Sequence, residues 1–212
     1  MRFRFPIVVS VAVLASLSAP VFGQTKTTAV TAAPVNANVE TIVAIRHGEK
    51  PPGGLGNLNC RGLNRALALP NVLLSKYGNP AFIFAPNPAE EVDGGKYYVR
   101  PLVTIEPTAI RCQLPVNTAY GYTKIDQLAS ELKKPAYQHA LVFVAWEHRL
   151  LDKFARLMVQ SYEGDPAQVP PWPDDDYDTI FVFKITHQFG KDTLAFTVDH
   201  EGLNNLSDNC PQ

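Results

Sequence analysis

Three runs constrain the fold of this chain more than anything else in it: "TIVAI", "AFIFA" and "ALVFVAW". Each is short, apolar without interruption and rich in β-branched or aromatic residues, the pattern of a strand covered on both faces. Segments of helical character lie between and after them. "RGLNRALALPNVLLSKYG" reads as a helix kinked or broken at Pro70 and stopped by Gly78. "RPLVTIEPTAIRC" reads as helical despite its prolines, and "LPVNTAY" as extended. "KIDQLASELKK" sets Ile125, Leu128 and Leu132 on one helix face, and "EHRLLDKFARLMVQSY" is a long helix. "DTIFVFKITH" and "DTLAFTVDH" read as a closing hairpin, whereas 86–98 is too rich in Gly, Glu and Asp for a core element. Strand–helix alternation of this kind predicts an α/β fold, a three-layer αβα sandwich around a mainly parallel sheet with an antiparallel edge at the hairpin.

In such a sheet, ligands bind beyond the carboxyl ends of the strands. The first strand ends in Arg46-His47-Gly48-Glu49-Lys50 and a Pro-Pro-Gly-Gly turn; the third ends in Glu147-His148 at a strand-to-helix junction. Two strands thus each deliver a histidine to the edge where a site forms. The helix after His148 also turns its N–H groups and positive dipole end toward that edge, which favours an anion. A net charge of −1 and the lack of a basic patch interleaved with aromatics argue against a nucleic-acid or anionic-membrane partner. An anion must therefore be held locally, by a few placed cations.

Arg46-His47-Gly48 after an apolar strand resembles the signature of the histidine phosphatase superfamily, the phosphoglycerate-mutase-like fold. "LNCRGLNRALAL" is similar to that family's Leu-Thr-x-x-Gly-x-x-Arg-Ala helix, "RPLVTIEPTA" to its Arg-Ala-x-x-Thr-Ala-x-Pro segment, and "WEH" sits where the family has its second histidine. Together these cover residues from about 40 to 150. The lead-in "KYYV" departs from the family's Ser-x-Leu. The resemblance implies a metal-independent phosphomonoesterase without a cofactor, acting on a small phosphorylated substrate. His47 would be the nucleophile that forms a phosphohistidine. Arg46, Arg100 and His148 would grip the non-bridging phosphoryl oxygens, with planar guanidinium forks suited to binding two oxygens at once. Arg61, Arg65 and Arg111 stand behind Arg100 for the second arginine. The proton-donating acid matches least well, because Arg149 follows the second histidine where one branch has Asp; Glu147 is the first candidate, then Glu49 and Asp126. Two other readings remain: a catalytically inactive phosphate- or phosphoprotein-binding module on the same fold, and a metal-dependent hydrolase using His47, Glu49, Glu147 and His148.

His139, His187 and His200 fall outside any pattern and read as structural or exposed, and Lys50 as a solvated charge. The loops "PNPAEEVDGGKYY" and "DPAQVPPWPDDDYD" are placed to wall the pocket mouth, where loops set substrate choice. At the amino end, "MRFR" followed by a short apolar stretch reads as a signal peptide over 1–23, then a flexible leader over 24–38 and a single domain over 39–212. The expected location is secreted or periplasmic, with no stable membrane insertion after cleavage. In an oxidising compartment, Cys60 and Cys210, both in turn-like surroundings, are the expected disulfide; Cys112 reads as a buried packing residue.

Overall fold

Strand β1 (Val39–Arg46) is built to be covered on both sides: Ile42, Val43, Ala44 and Ile45 are all essentially without solvent exposure. The computed structural model describes residues 38–211 apart from 55, 93 and 189. The signal-peptide and leader readings lie outside the described residues.

After β1 come α1 (Cys60–Tyr77), β2 (Phe82–Phe84), β3 (Glu91–Val92), β4 (Lys96–Tyr97), α2 (Arg100–Cys112), β5 (Val116–Asn117) and α3 (Ile125–Glu131). Then follow β6 (Leu141–Trp146), α4 (His148–Ser161), β7 (Thr179–Thr186) and β8 (Thr193–His200). The main sheet has the order β5-β2-β6-β1-β7-β8. Pairings β5–β2, β2–β6 and β6–β1 are parallel, while β1–β7 and β7–β8 are antiparallel. The hairpin therefore supplies the antiparallel edge.

Side-chain alternation along the central strands sorts the core into two layers. Ile42, Ala44, Val142, Val144 and Trp146 face α3 and α4, packing with Leu128, Leu151, Phe154 and Met158. Val43, Ile45, Phe143 and Ala145 face α1 and α2, packing with Leu69, Leu73, Ile105 and Ala109. Burying each of these larger side chains contributes about 1.5–3 kcal/mol. This is the αβα sandwich that the alternation predicts.

Two local readings need correction. Helix α1 is not broken at Pro70, which lies inside it and is buried; burial offsets the one hydrogen bond that proline removes. The stretch 86–98 supplies no strand of the main sheet, as read, and its β3 and β4 form a separate, largely exposed two-stranded antiparallel ribbon. Cys112 is only half-buried, because it ends α2 where the helix leaves the core. Cys60 and Cys210 are joined, a bridge across 150 residues. Around it, Arg61 pairs with Asp208, and the Asn64 amide donates to the carbonyls of Ser207 and Asn209, so the C-terminal tail lies along the first turns of α1.

Candidate active site

Register brings the two histidines together. In the parallel pair β1–β6, Arg46 lies opposite Trp146, and the His47 N–H donates to the Trp146 carbonyl at 2.9 Å. The strands end abreast, so His47 and the Glu147-His148 junction share one edge of the sheet. Gly48 permits the chain to turn there: a Cβ at this position would lie 2.9 Å from the Gly62 carbonyl oxygen of α1. The Gly48 N–H donates to Thr104 Oγ1 at 2.9 Å, which ties the same turn to α2. Farther along, the Gly56 carbonyl accepts from the N–H groups of Val99 and Arg100, fastening the glycine-rich turn to the start of α2.

These segments enclose a cleft of about 440 Å³ lined by Arg46, His47, Lys50, Val92, Tyr98, Arg100, Tyr122, Glu147, His148, Arg149 and Asp174. His47 is 2% exposed, and its Nδ1 lies 2.7 Å from the Gly48 carbonyl oxygen. A carbonyl can only accept, so Nδ1 carries the proton and Nε2 keeps its lone pair. Burial pushes the His47 pKa down, the Gly48 carbonyl pulls it back, and Arg100 and Arg46 push it down again, to about 3. The imidazole is therefore neutral at physiological pH.

Each arginine is seated on a tyrosine. The Arg46 guanidinium lies 3.8 Å from the centre of the Tyr177 ring, and that of Arg100 lies 4.7 Å from the centre of Tyr98. Both rings also pack against His47, at 6.2 and 6.1 Å between centroids. Arg46 Nη1 donates to the carbonyls of Asp174 and Asp176 at 2.8 and 2.7 Å, while its buried Nε has no hydrogen-bond partner. Arg100 Nη1 donates to the Gly54 carbonyl at 3.0 Å. Burial pulls the Arg46 pKa down, and nearby anionic and phenolic groups counter it.

His148 sits between two carboxylates, with Nδ1 2.7 Å from Glu147 Oε1 and Nε2 2.7 Å from Asp174 Oδ1. The Nδ1 contact is close but lacks hydrogen-bond alignment. Glu147 also caps α4, its Oε2 accepting from the Leu150 N–H at 2.9 Å. Burial pushes the Glu147 carboxyl up, but His148 and the N–H groups of Leu150 and Arg149 pull it further down, to about 2. Asp174 is likewise held down to about 2 by Arg149 and His148.

No family model and no curated protein matches the sequence. Solved structures do match in fold. One is a Nakamurella multipartitia protein assigned as the phosphohistidine phosphatase SixA, with TM-score 0.51 and 17% identity over 77% of this chain and 97% of that one. Another is a mycobacterial glucosyl-3-phosphoglycerate phosphatase in complex with inorganic phosphate, with TM-score 0.51 and 14% identity over 74% of this chain and 95% of that one. A third is a Plasmodium falciparum phosphoglycerate mutase, with TM-score 0.50 and 12% identity over 74% of this chain and 89% of that one. The chain has the histidine phosphatase fold. The superfamily resemblance carried by Arg46-His47-Gly48 is thus matched at the level of architecture.

Within this histidine phosphatase fold, Arg46, His47, Arg100, Glu147 and His148 all line one cleft. Glu147 is there, but not in the state that a proton donor needs, since a carboxyl held near 2 is ionised at neutral pH. The reserve acids lie elsewhere. Glu49 points into α1, where Arg65 holds it by two hydrogen bonds of 3.0 and 2.8 Å, and Asp126 is exposed on α3. The binding of Glu49 by Arg65 also removes it from the four-residue metal set. The reserve arginines are engaged too: Arg61 with Asp208, Arg65 with Glu49 and Glu201, and Arg111 with Asn71.

His187 contacts Asp192 and Glu40 at the opposite end of β1, with His139 beside it, and His200 is exposed. Lys50, read as a solvated charge, lines the cleft. Tyr98, Tyr122, Arg149 and Asp174 were not singled out from the sequence. Tyr98 and Asp174 do fall in the two loops placed at the pocket mouth, which was their only signal.

Proposed function

We propose that this protein is a metal-independent phosphomonoester hydrolase that acts through a phosphohistidine on His47. The observation that supports it best is a neutral imidazole with its tautomer fixed by the Gly48 carbonyl, set among Arg46, Arg100 and His148. A neutral nitrogen lone pair can attack phosphorus, while the surrounding cations neutralise the oxygens of the transferring group.

In the first step, His47 Nε2 forms a bond to phosphorus as the bond to the leaving oxygen breaks. Arg46 and Arg100 bind the non-bridging oxygens. His148, between Glu147 and Asp174, acts in its protonated form, supplying both positive charge and the proton for the leaving oxygen. Glu147 lies beside it as an anion. In the second step, water attacks phosphorus, the P–N bond breaks, and a water proton returns to His148. A disulfide between Cys60 and Cys210 supports an exported protein, since such bonds persist in oxidising compartments.

The test is phosphate release by the full chain from a panel of phosphomonoesters, with and without chelator. Release that a chelator leaves unchanged and that His47→Ala abolishes is the expected result. Chelator-sensitive release would favour a metal site, and phosphate binding without release would favour the binding module.

A further inference from the structure

Buried polar atoms without a partner are uncommon, and their positions identify where a ligand completes the hydrogen bonding. Such atoms on residues that line the cleft include Arg46 Nε, His148 Nδ1 and Tyr98 Oη. Tyr98 is 1% exposed. It leaves the β3–β4 ribbon with its N–H donating to the Glu90 carbonyl at 2.8 Å, so its backbone is fixed. Its ring is held on three sides: edge-on to His47, tilted against Tyr122 at 4.9 Å, and under the Arg100 guanidinium at 4.7 Å. The hydroxyl lies within electrostatic reach of Arg100, Glu147 and Arg46. Burial pushes the phenol pKa up, against the pull of Arg100, so the group keeps its proton at neutral pH.

A packing role alone would be served by phenylalanine. A buried hydroxyl beside the nucleophile and both arginines, within reach of the Arg100 guanidinium but with no acceptor for its own proton among the described residues, is a donor placed for an anion. Resting on the phosphatase reading above, we infer that Tyr98 is a further catalytic residue whose hydroxyl donates a hydrogen bond to an oxygen of the phosphoryl group in the cleft. Beside the two arginines, the phenol adds a neutral donor whose direction the packing of its ring fixes.

Tyr98→Phe in the full chain tests it, because the substitution keeps the ring and its stacking on Arg100. Three quantities are read: the thermal midpoint, the Kd for inorganic phosphate, and kcat/KM for p-nitrophenyl phosphate. The variant is expected to be at least as stable as the parent, since an unpartnered buried hydroxyl is gone. Phosphate binding should weaken about 10-fold, and kcat/KM should fall about 10- to 100-fold, below the full effect of losing a charged oxyanion donor. Unchanged phosphate affinity would overturn the inference. So would a drop in stability, which would show that the hydroxyl serves the fold. A parent protein that binds phosphate but releases none would refute the phosphatase reading while leaving the Tyr98 bond measurable by affinity. A parent that binds no phosphate refutes both.

Discussion

Glu40→Gln should remove a pH dependence of stability that the fold builds into its first strand. Glu40 has no solvent exposure, its Oε1 has no partner, and Oε2 lies 3.4 Å from His187 Nε2. His187 bonds Asp192 through its other nitrogen and has His139 beside it, and Tyr162 and Tyr137 also lie within the field of Glu40. Burial, then the nearby Asp192, raises the Glu40 pKa from 4.5 to about 8. The folded chain therefore holds a proton that the unfolded chain releases above 4.5. That stabilisation is complete below pH 4.5 and is lost as pH rises toward 8. At 1.36 kcal/mol per pH unit, the gap from 4.5 to about 8 is worth at most about 5 kcal/mol. Glutamine stays neutral throughout, so the gain of the variant over the parent should grow by about 3–5 kcal/mol between pH 5 and pH 9. Urea denaturation at each pH measures it. Turnover should be unchanged, because Glu40 lies at the opposite end of β1 from Arg46. Parallel stability curves for the two proteins would refute the reasoning.

Two further substitutions probe the site and its support. Arg100→Ala should lower kcat/KM by about 10²- to 10³-fold, as for loss of a preorganised charge-stabilising donor; near-normal turnover would remove Arg100 from the phosphate pocket. Arg65→Met should destabilise the fold by about 3–5 kcal/mol in urea, as for removal of one partner from a buried ion pair. The Arg65 and Glu201 side chains are 1% and 0% exposed, and Glu49 is 12% exposed. A cost under about 1 kcal/mol would mean that the cluster is not a structural anchor.

How much of this was legible beforehand depends on what fixes each residue. Arg46, His47 and His148 were legible because each sits at the end of a buried strand, and the apolar pattern of "TIVAI" and "ALVFVAW" carries register with it. Arg100 came from the motif around it, since helix periodicity does not say which side chain turns toward a neighbouring strand end. Glu147 was legible as a cleft residue but not in its ionisation. Its state depends on the N–H groups at the start of α4 and on His148, contacts that exist only once the helix has formed. Tyr98 and Asp174 lie on loops without a period, and the paired ribbon and the carbonyls that Arg46 binds decide where those loops run. Pro70 shows the opposite case, a strong local signal overridden where the residue is buried within α1.

The central claim is a covalent bond between His47 Nε2 and phosphorus. Rapid quenching of the full chain with a ³²P-labelled phosphomonoester, without acid, followed by peptide mapping, tests it directly. The account predicts label on the peptide containing His47, stable in alkali and lost in acid as a phosphoramidate is, and no label or turnover in a folded His47→Ala variant. Undiminished hydrolysis by His47→Ala, or label that survives acid on a serine-containing peptide instead, would contradict it.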